Sequence, residues 1–330
     1  MKPVASQHET RLTFGIEQGA RCLTTAVKVE ILSRVPEATF SSAAAYPVLR
    51  EACLQAGLAS GGAELLRVGE NAIYQLASVP IVVRIARSAD RLRKVEKELC
   101  VARWLADGHV PAVRVYEQIS QPLLVGEHPI SFWHAVTGGD PAPTHVDLAR
   151  LLASFHALGE SPCDLAAFDP LSTSRARLDV TRGISADDHD FLRRRCIDLN
   201  EQLHDLEFAL PKGPIHGDAH TKNLLADSGR VVLLDFEAAA IGPREWDLLP
   251  TEIATDRYGL AEEQYRQFAT AYGFDVRTWP GYPVLREIRE LTMTTWIMQN
   301  IREAPAVAAE FDLRVTSLRE RDFERAWNFF

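Results

Sequence analysis

Residues Gly213–Leu249 read GPIHGDAHTKNLLADSGRVVLLDFEAAAIGPREWDLL, and the fold assignment turns on this stretch. Its informative residues are Asp218, Asn223 five positions on, and Asp235 at the end of the apolar run Val231-Val232-Leu233-Leu234. A carboxylate, a carboxamide and a second carboxylate, carried by a loop and the end of a hairpin, suit phosphoryl transfer from a magnesium–nucleotide complex. Magnesium prefers hard oxygen ligands, usually one or two from the protein, with phosphate and water supplying the rest. Asn223 and Asp235 are ligands of that type. Asp218 is then left to orient a hydroxyl nucleophile and accept its proton.

The order His216-Gly217-Asp218, Asn223, Asp235, followed by Gly242, Pro243 and Asp247, resembles the catalytic segment of the aminoglycoside phosphotransferase family, within the wider protein-kinase-like fold. Three spaced elements in the right order are far more specific than any one alone. The resemblance implies an α+β, bilobal architecture, with a small β-rich N-lobe, a larger and mainly helical C-lobe, and ATP (or GTP) in the cleft between them. It also implies that His216 supports the loop by hydrogen bonding and that Asp247 braces it from below. His220 stands where protein kinases tend to carry a lysine, and would donate a hydrogen bond to the transferred phosphate. Lys222 departs from the small residue common in the family, and Glu237 after Asp235-Phe236 departs from the glycine of the protein kinases but is familiar in this family. Glu237 either helps bind a second magnesium or is simply solvated.

Upstream, Glu64–Val68 and Ala72–Ala77 read as strands joined by Gly69-Glu70-Asn71. In a kinase-like fold such a turn covers the nucleotide phosphates with backbone N–H groups, so Gly69 and Asn71 are candidate nucleotide contacts. With one glycine, the turn is by itself an ordinary hairpin. Its place just before Ile81–Ala86 distinguishes it. That strand, IVVRIA, puts Val82, Arg84 and Ala86 on one face. Arg84 stands where the family usually has a lysine gripping the phosphates; its planar fork can hold two oxygens. The bland alternative is a surface cation on an edge strand. From Arg91 to Ala106 the apolar spacing of Leu92, Val95, Leu99, Ala102 and Leu105 predicts a helix. The family sets a helical glutamate against the strand cation, and Glu98 fits that alignment better than Glu96.

The rest of the chain reads as helices with connecting strands. Helices are expected over Ala43–Ala59, Asp147–Leu158, Asp187–Leu210, Ala261–Tyr272, Val284–Glu303 and Asp312–Phe323. Strands are expected over Ala112–Ile119 and Gln121–Val125. His128–Val136 is expected to form the strand and hinge, with Phe132 or Trp133 lining the purine slot. Ser161–Val180 reads as loop, and His156 as a structural or solvated residue. Turn chemistry at Thr137–Pro141 marks the lobe boundary. The expected layout is thus an N-terminal extension over 1–40, an N-lobe over 41–136 and a C-lobe over 137–330.

Composition limits the partners. The chain has 330 residues, 46% hydrophobic and 25% charged, with a formal net charge of −9. That is an ordinary globular composition, and the acidity argues against a nucleic-acid backbone or an anionic membrane as partner. The N-terminus lacks a signal-peptide core and no apolar run is long enough to span a bilayer. Five scattered cysteines without a C-x-x-C (Cys22, Cys53, Cys100, Cys163, Cys196) read as reduced thiols in a cytoplasmic protein.

The resulting expectation is a magnesium- and ATP-dependent kinase that phosphorylates the hydroxyl of a small molecule, such as an aminoglycoside or another amine-bearing metabolite. Glu252, Asp256, Glu287 and Glu290 would either meet an amine or be helix-surface charges. Two alternatives stand beside it. One is a non-catalytic nucleotide-binding regulator on the same fold. The other is a metal-dependent hydrolase using His216, Asp218 and His220 as an alternating ligand set, which leaves Asn223 and Asp235 without a role.

Overall fold

The structure, a computed structural model, describes residues 40–302 and 304–328. All but Phe40 of the expected N-terminal extension, Cys22 included, lies outside them. The described chain runs α1 (Ser42–Gln55), β1 (Glu64–Val68), β2 (Asn71–Gln75), β3 (Ile81–Ala86), α2 (Leu92–Asp107), β4 (Leu123–Val125) and β5 (His128–His134). It continues through α3 (His145–His156), α4 (Ser172–Val180), α5 (Ala186–His204), β6 (Gly213–Ile215), β7 (Leu224–Asp227), β8 (Arg230–Leu233) and β9 (Ala240–Gly242). Four helices close it: α6 (Leu249–Tyr258), α7 (Glu262–Tyr272), α8 (Tyr282–Ile297) and α9 (Pro305–Glu320). This is the expected α+β kinase-like fold: a β-rich lobe followed by a larger, mainly helical one.

The first lobe is an antiparallel sheet in the order β1-β2-β3-β5-β4. Strand alternation gives it two faces. Val83 and Ile85 of β3 are fully buried against Leu49 and Cys53 of α1, with Ile130 and Phe132 of β5. The opposite face carries Val82, Arg84, Ala86 and Trp133 toward a second, larger core shared with the helical lobe. Because β3 lies between β2 and β5, Arg84 is central in the sheet, not on an edge. In α2, Val95, Leu99, Ala102 and Leu105 are buried as their spacing predicts, all in the larger core.

Several local expectations are corrected. Ala112–Ile119 forms only isolated bridges, Ala112 with Leu233 and Val115 with Trp133. Its backbone is shared between two partners, Val113 N–H donating to Leu233 C=O and Tyr116 N–H to Phe132 C=O, so no continuous ladder forms. Within the expected loop at Ser161–Val180, residues Ser172–Val180 are helical. This helix buries only Ser174 and Leu178, too little to leave an apolar stripe. Helix α5 stops at His204, short of Leu206 and Leu210. Helix α1 runs over Ser42–Gln55; Leu54 and Tyr46 are 74% and 39% exposed, and Ala45, Leu49, Ala52 and Cys53 are buried. Phe132 is sealed inside the first lobe's core, away from any purine slot.

The cysteines are not all reduced. Cys100 of α2 and Cys163 of the loop after α3 form a disulfide, their Cα atoms 5.8 Å apart across a sequence separation of 63. Separation in sequence hid the pair; the packing of α2 on that loop creates it. Cys53 and Cys196 are free and buried, and desolvation pushes both thiols up to about 11. No helix among the described residues is long and apolar enough to cross a membrane.

Candidate active site

Chain reversal after β6 builds the loop that carries Asp218. Gly217 takes φ +84°, and a Cβ there would lie 2.2 Å from the Ala238 carbonyl oxygen, so only glycine makes the turn. The two N–H groups the turn exposes are satisfied by one buried carboxylate. His216 N–H donates to Asp247 Oδ2 (2.6 Å) and Gly217 N–H to Oδ1 (2.8 Å). His156 closes the set, its Nε2 3.0 Å from Asp247 Oδ2 and its Nδ1 2.8 Å from the Tyr272 hydroxyl. Asp247 is fully buried and His156 nearly so, which makes this a structural network. Trp246 supports the same turn by donating Nε1–H to Gly217 C=O at 2.9 Å.

The next links tie Asp218, Asn223 and Asp235 together. Asn223 Nδ2 donates to Asp218 C=O (2.9 Å), and Leu234 N–H donates to Asn223 C=O (3.1 Å). The Leu234 carbonyl in turn lies 3.0 Å from His216 Nε2. Asp235 follows immediately with φ +66°, a left-handed conformation rare for a non-glycine residue and often found at functional sites. With His216 buried and committed to Leu234, the alternating hydrolase ligand set does not assemble. Among the described residues, no group of three or more His, Cys, Asp or Glu gathers as a metal cluster.

Asp218 has an accessible carboxylate, 45% exposed. Arg289 of α8 donates from Nη2 to its Oδ1 at 2.6 Å, and His220 Nε2 lies 3.4 Å from its Oδ2. Burial acts to raise its pKa, but the His220 contact and the Arg289 guanidinium outweigh it and hold the carboxyl well below the usual range. Arg289 had no distinguishing mark in the sequence. It is fixed by Gly217 C=O at 3.3 Å and by stacking 5.1 Å from the Trp246 ring.

Across from this loop, Arg84 Nη1 meets Glu98 Oε1 at 3.0 Å, with Glu98 rather than Glu96 as the partner. Desolvation raises the Glu98 pKa, Arg84 lowers it, and Asp235 and Glu237 nearby raise it again. The Gly69 N–H is committed to Asn71 C=O at 3.0 Å, and Asn71 pairs with Ala86 in the sheet. The turn is fixed from outside as well: Glu70 Oε2 binds Arg91 Nη1 at 2.7 Å, and that same nitrogen lies 3.2 Å from Glu237 Oε1. Glu237 also pairs with Lys94, so it is not simply solvated.

The acidic residues expected to meet an amine are all engaged within the protein. Glu252 pairs with Arg277 (3.0 Å), Asp256 with Arg286 (2.7 Å) and Glu290 with Arg257 (2.7 Å). Glu287 pairs with Arg195 of α5. Of the four, Glu252, Glu287 and Glu290 are buried, so they are not surface charges either.

A family model described as the phosphotransferase enzyme family matches residues 65–288, more than half of the chain. Solved structures share the fold at low identity. An amicoumacin kinase, hAmiN, in complex with AMP-PNP, Ca2+ and Ami is 14% identical, with 88% of this chain and 98% of that one covered and a TM-score of 0.68. A choline kinase, LicA, from Streptococcus pneumoniae is 16% identical over 84% of this chain and 99% of its own, with a TM-score of 0.63. A choline/ethanolamine kinase family protein from Mesorhizobium loti is 18% identical over 86% and 96%, with a TM-score of 0.59. No curated protein matches the chain.

Proposed function

From the premise that this chain belongs to the phosphotransferase enzyme family, we propose that it is an ATP-dependent small-molecule kinase that transfers the γ-phosphoryl group to an acceptor hydroxyl. The observation that carries the reading is the hydrogen-bonded chain from Asp218 through Asn223 to Leu234, beside Asp235. It leaves the Asp218 carboxylate open to solvent and ties the backbone of Asn223 to the residue before Asp235, which supports reading the carboxamide and the second carboxylate as a pair of oxygen donors.

The donor set fits Mg2+, which takes one or two protein oxygens and completes its shell with phosphate and water. Asn223 Oδ1 and the Asp235 carboxylate would hold the ion, because Asn223 Nδ2 is already turned to Asp218 C=O. When bound, the ion neutralises phosphate charge. Arg84, fixed by Glu98, would grip phosphate oxygens, and the Gly69–Asn71 turn would cover them. Asp218 would orient the acceptor hydroxyl and receive its proton, while His220, beside it, would donate to the transferred group. Catalysis is then positioning and charge neutralisation on a prefixed frame. The cleft would lie between an N-lobe over 41–136 and a C-lobe over 137–330.

The test is magnesium-dependent ADP release by wild type and D218A, with ATP affinity measured in parallel. D218A is expected to lose at least about a hundredfold in turnover, in line with removal of a positioned acid–base group, and to keep its ATP affinity. Unchanged turnover would remove Asp218 from this role. Joint loss of turnover and ATP binding would make it a structural residue.

A further inference from the structure

We propose that the acceptor carries an oxyanion, a carboxylate or a phosphate, near the hydroxyl that is phosphorylated, and that Arg289 and Arg177 read it. This inference rests on the kinase reading and names its substrate class.

Three observations lead to it. First, the carboxylates on the helical wall are neutralised internally by Arg195, Arg257, Arg277 and Arg286, and do not reach out to an amine. Second, a guanidinium stands against the accessible carboxylate of the site. Arg289 is 13% exposed and touches Asp218 on its open side, while its Nε is buried without a hydrogen-bond partner. His220 Nε2 lies 3.4 Å from the other oxygen of Asp218, so an incoming ammonium group finds that carboxylate flanked by a guanidinium and an imidazole.

Third, a second guanidinium arrives from a different element. Arg177 of α4 directs Nη1 to Thr292 C=O at 3.5 Å, three residues beyond Arg289 on α8. Thr292 lies one turn of α8 beyond Arg289, so Arg177 meets the same stretch of that helix. Arg177 is half-buried, its contact on α8 is a neutral carbonyl, and burial lowers its pKa while the Glu70 carboxylate opposes that. A desolvated guanidinium facing a neutral oxygen, as Arg177 does, is better satisfied by an oxyanion, which its planar fork can take in two parallel hydrogen bonds; Arg289 would share its fork between Asp218 and the same anion. A polyamine would meet like charge at the same place.

The test uses acceptors of similar size and different charge: glycerate and glycerol 3-phosphate (anionic), glycerol (neutral) and serinol (cationic). Binding by calorimetry with AMP-PNP present, and stimulated ADP release, are measured for wild type, R289Q, R289K and R177Q. Wild type is expected to bind and phosphorylate an anionic member best, and the better of the two identifies the anion as carboxylate or phosphate. R289Q and R177Q are expected to raise KM for that acceptor by about ten- to a hundredfold, with R289K between them and wild type. Because Arg289 also touches Asp218, R289Q lowers kcat for every acceptor. The deciding readout is therefore the anionic-to-neutral ratio of kcat/KM, which a purely structural role leaves unchanged. Preference for glycerol or serinol, no preference, no response to either anion, or an anion preference that survives both glutamine variants overturns the inference. Wild-type ATP binding separates the two levels. If ATP binds and anions are not preferred, this inference alone falls; if ATP does not bind, the kinase reading falls with it.

Discussion

Replacing Asp247 by asparagine removes one oxygen from the point where the catalytic loop is anchored. The carboxylate receives His216 N–H and His156 Nε2 on Oδ2, and Gly217 N–H on Oδ1. Asparagine keeps one acceptor. In its better rotamer the remaining oxygen faces His216 and His156, and the new NH2 group faces the Gly217 N–H. One charge-assisted bond is lost and a buried donor is left facing a donor, which costs about 2–4 kcal/mol. Against a typical total of about 5–15 kcal/mol this is a large fraction. Urea unfolding of wild type and D247N by linear extrapolation reads the stability change. Turnover and ATP affinity are measured on the folded fraction. Turnover is expected to fall more than affinity, because the freed residues, His216 and Gly217, immediately precede Asp218. A stability loss below about 0.5 kcal/mol, the range of an ordinary surface substitution, together with unchanged turnover would refute the assignment of Asp247 as the anchor.

G217A is expected to strain the same turn, since a Cβ at φ +84° meets the Ala238 carbonyl at 2.2 Å; a cost of at least about 1–3 kcal/mol should appear as a lower melting temperature with reduced turnover, and a neutral result would mean that the turn relaxes. The Asp218 pKa is depressed in the folded protein, so its ionic contribution is present above the unfolded value of about 3.9 and is lost only as pH falls through the lower folded value. No acid limb attributable to Asp218 is therefore expected in a kcat/KM–pH profile above about pH 4, and an acid limb near neutrality that D218E shifts would contradict this. Reducing Cys100–Cys163, or introducing C100S, opens a cross-link spanning 63 residues and is expected to cost about 2–4 kcal/mol. Thermal unfolding with and without dithiothreitol tests it: the wild type should respond and C100S should not.

The candidate site was legible where its residues follow a fixed order along the chain. His216, Asp218, Asn223, Asp235 and Asp247 occupy one stretch, and strand β3 has the expected bounds because its apolar alternation is clear around Arg84. Helix α4 was illegible because its sequence, STSRARLDV, is polar on nearly every face. Arg289 was illegible for another reason. The run Arg286-Glu287-Ile288-Arg289-Glu290 offers two arginines three residues apart, one locked to Glu290 and Asp256, the other at Asp218. No periodicity distinguishes them; only the placement of α8 against the loop does. The acidic wall failed similarly, since Arg195, Arg257 and Arg277 are remote in sequence from the carboxylates they pair with, Glu287, Glu290 and Glu252. Long-range pairing, the disulfide included, is what a single sequence conceals most completely.

Helix α2 belongs by sequence with the sheet, yet its apolar residues Val95, Leu99, Ala102 and Leu105 sit in the core shared with the helical lobe. Lys97 reaches the backbone carbonyls of Glu237 and Ala239, and the disulfide at Cys100 anchors the helix to the loop after α3. Mechanically, α2 is therefore part of the stator. The rotor would be the sheet with α1, and the ion pairs that couple it to α2 are Arg84–Glu98 and Glu70–Arg91. Any rotation of the sheet against α2 would have to stretch both pairs, so on the proposed reading the angle between them and the reach of Arg84 would change together.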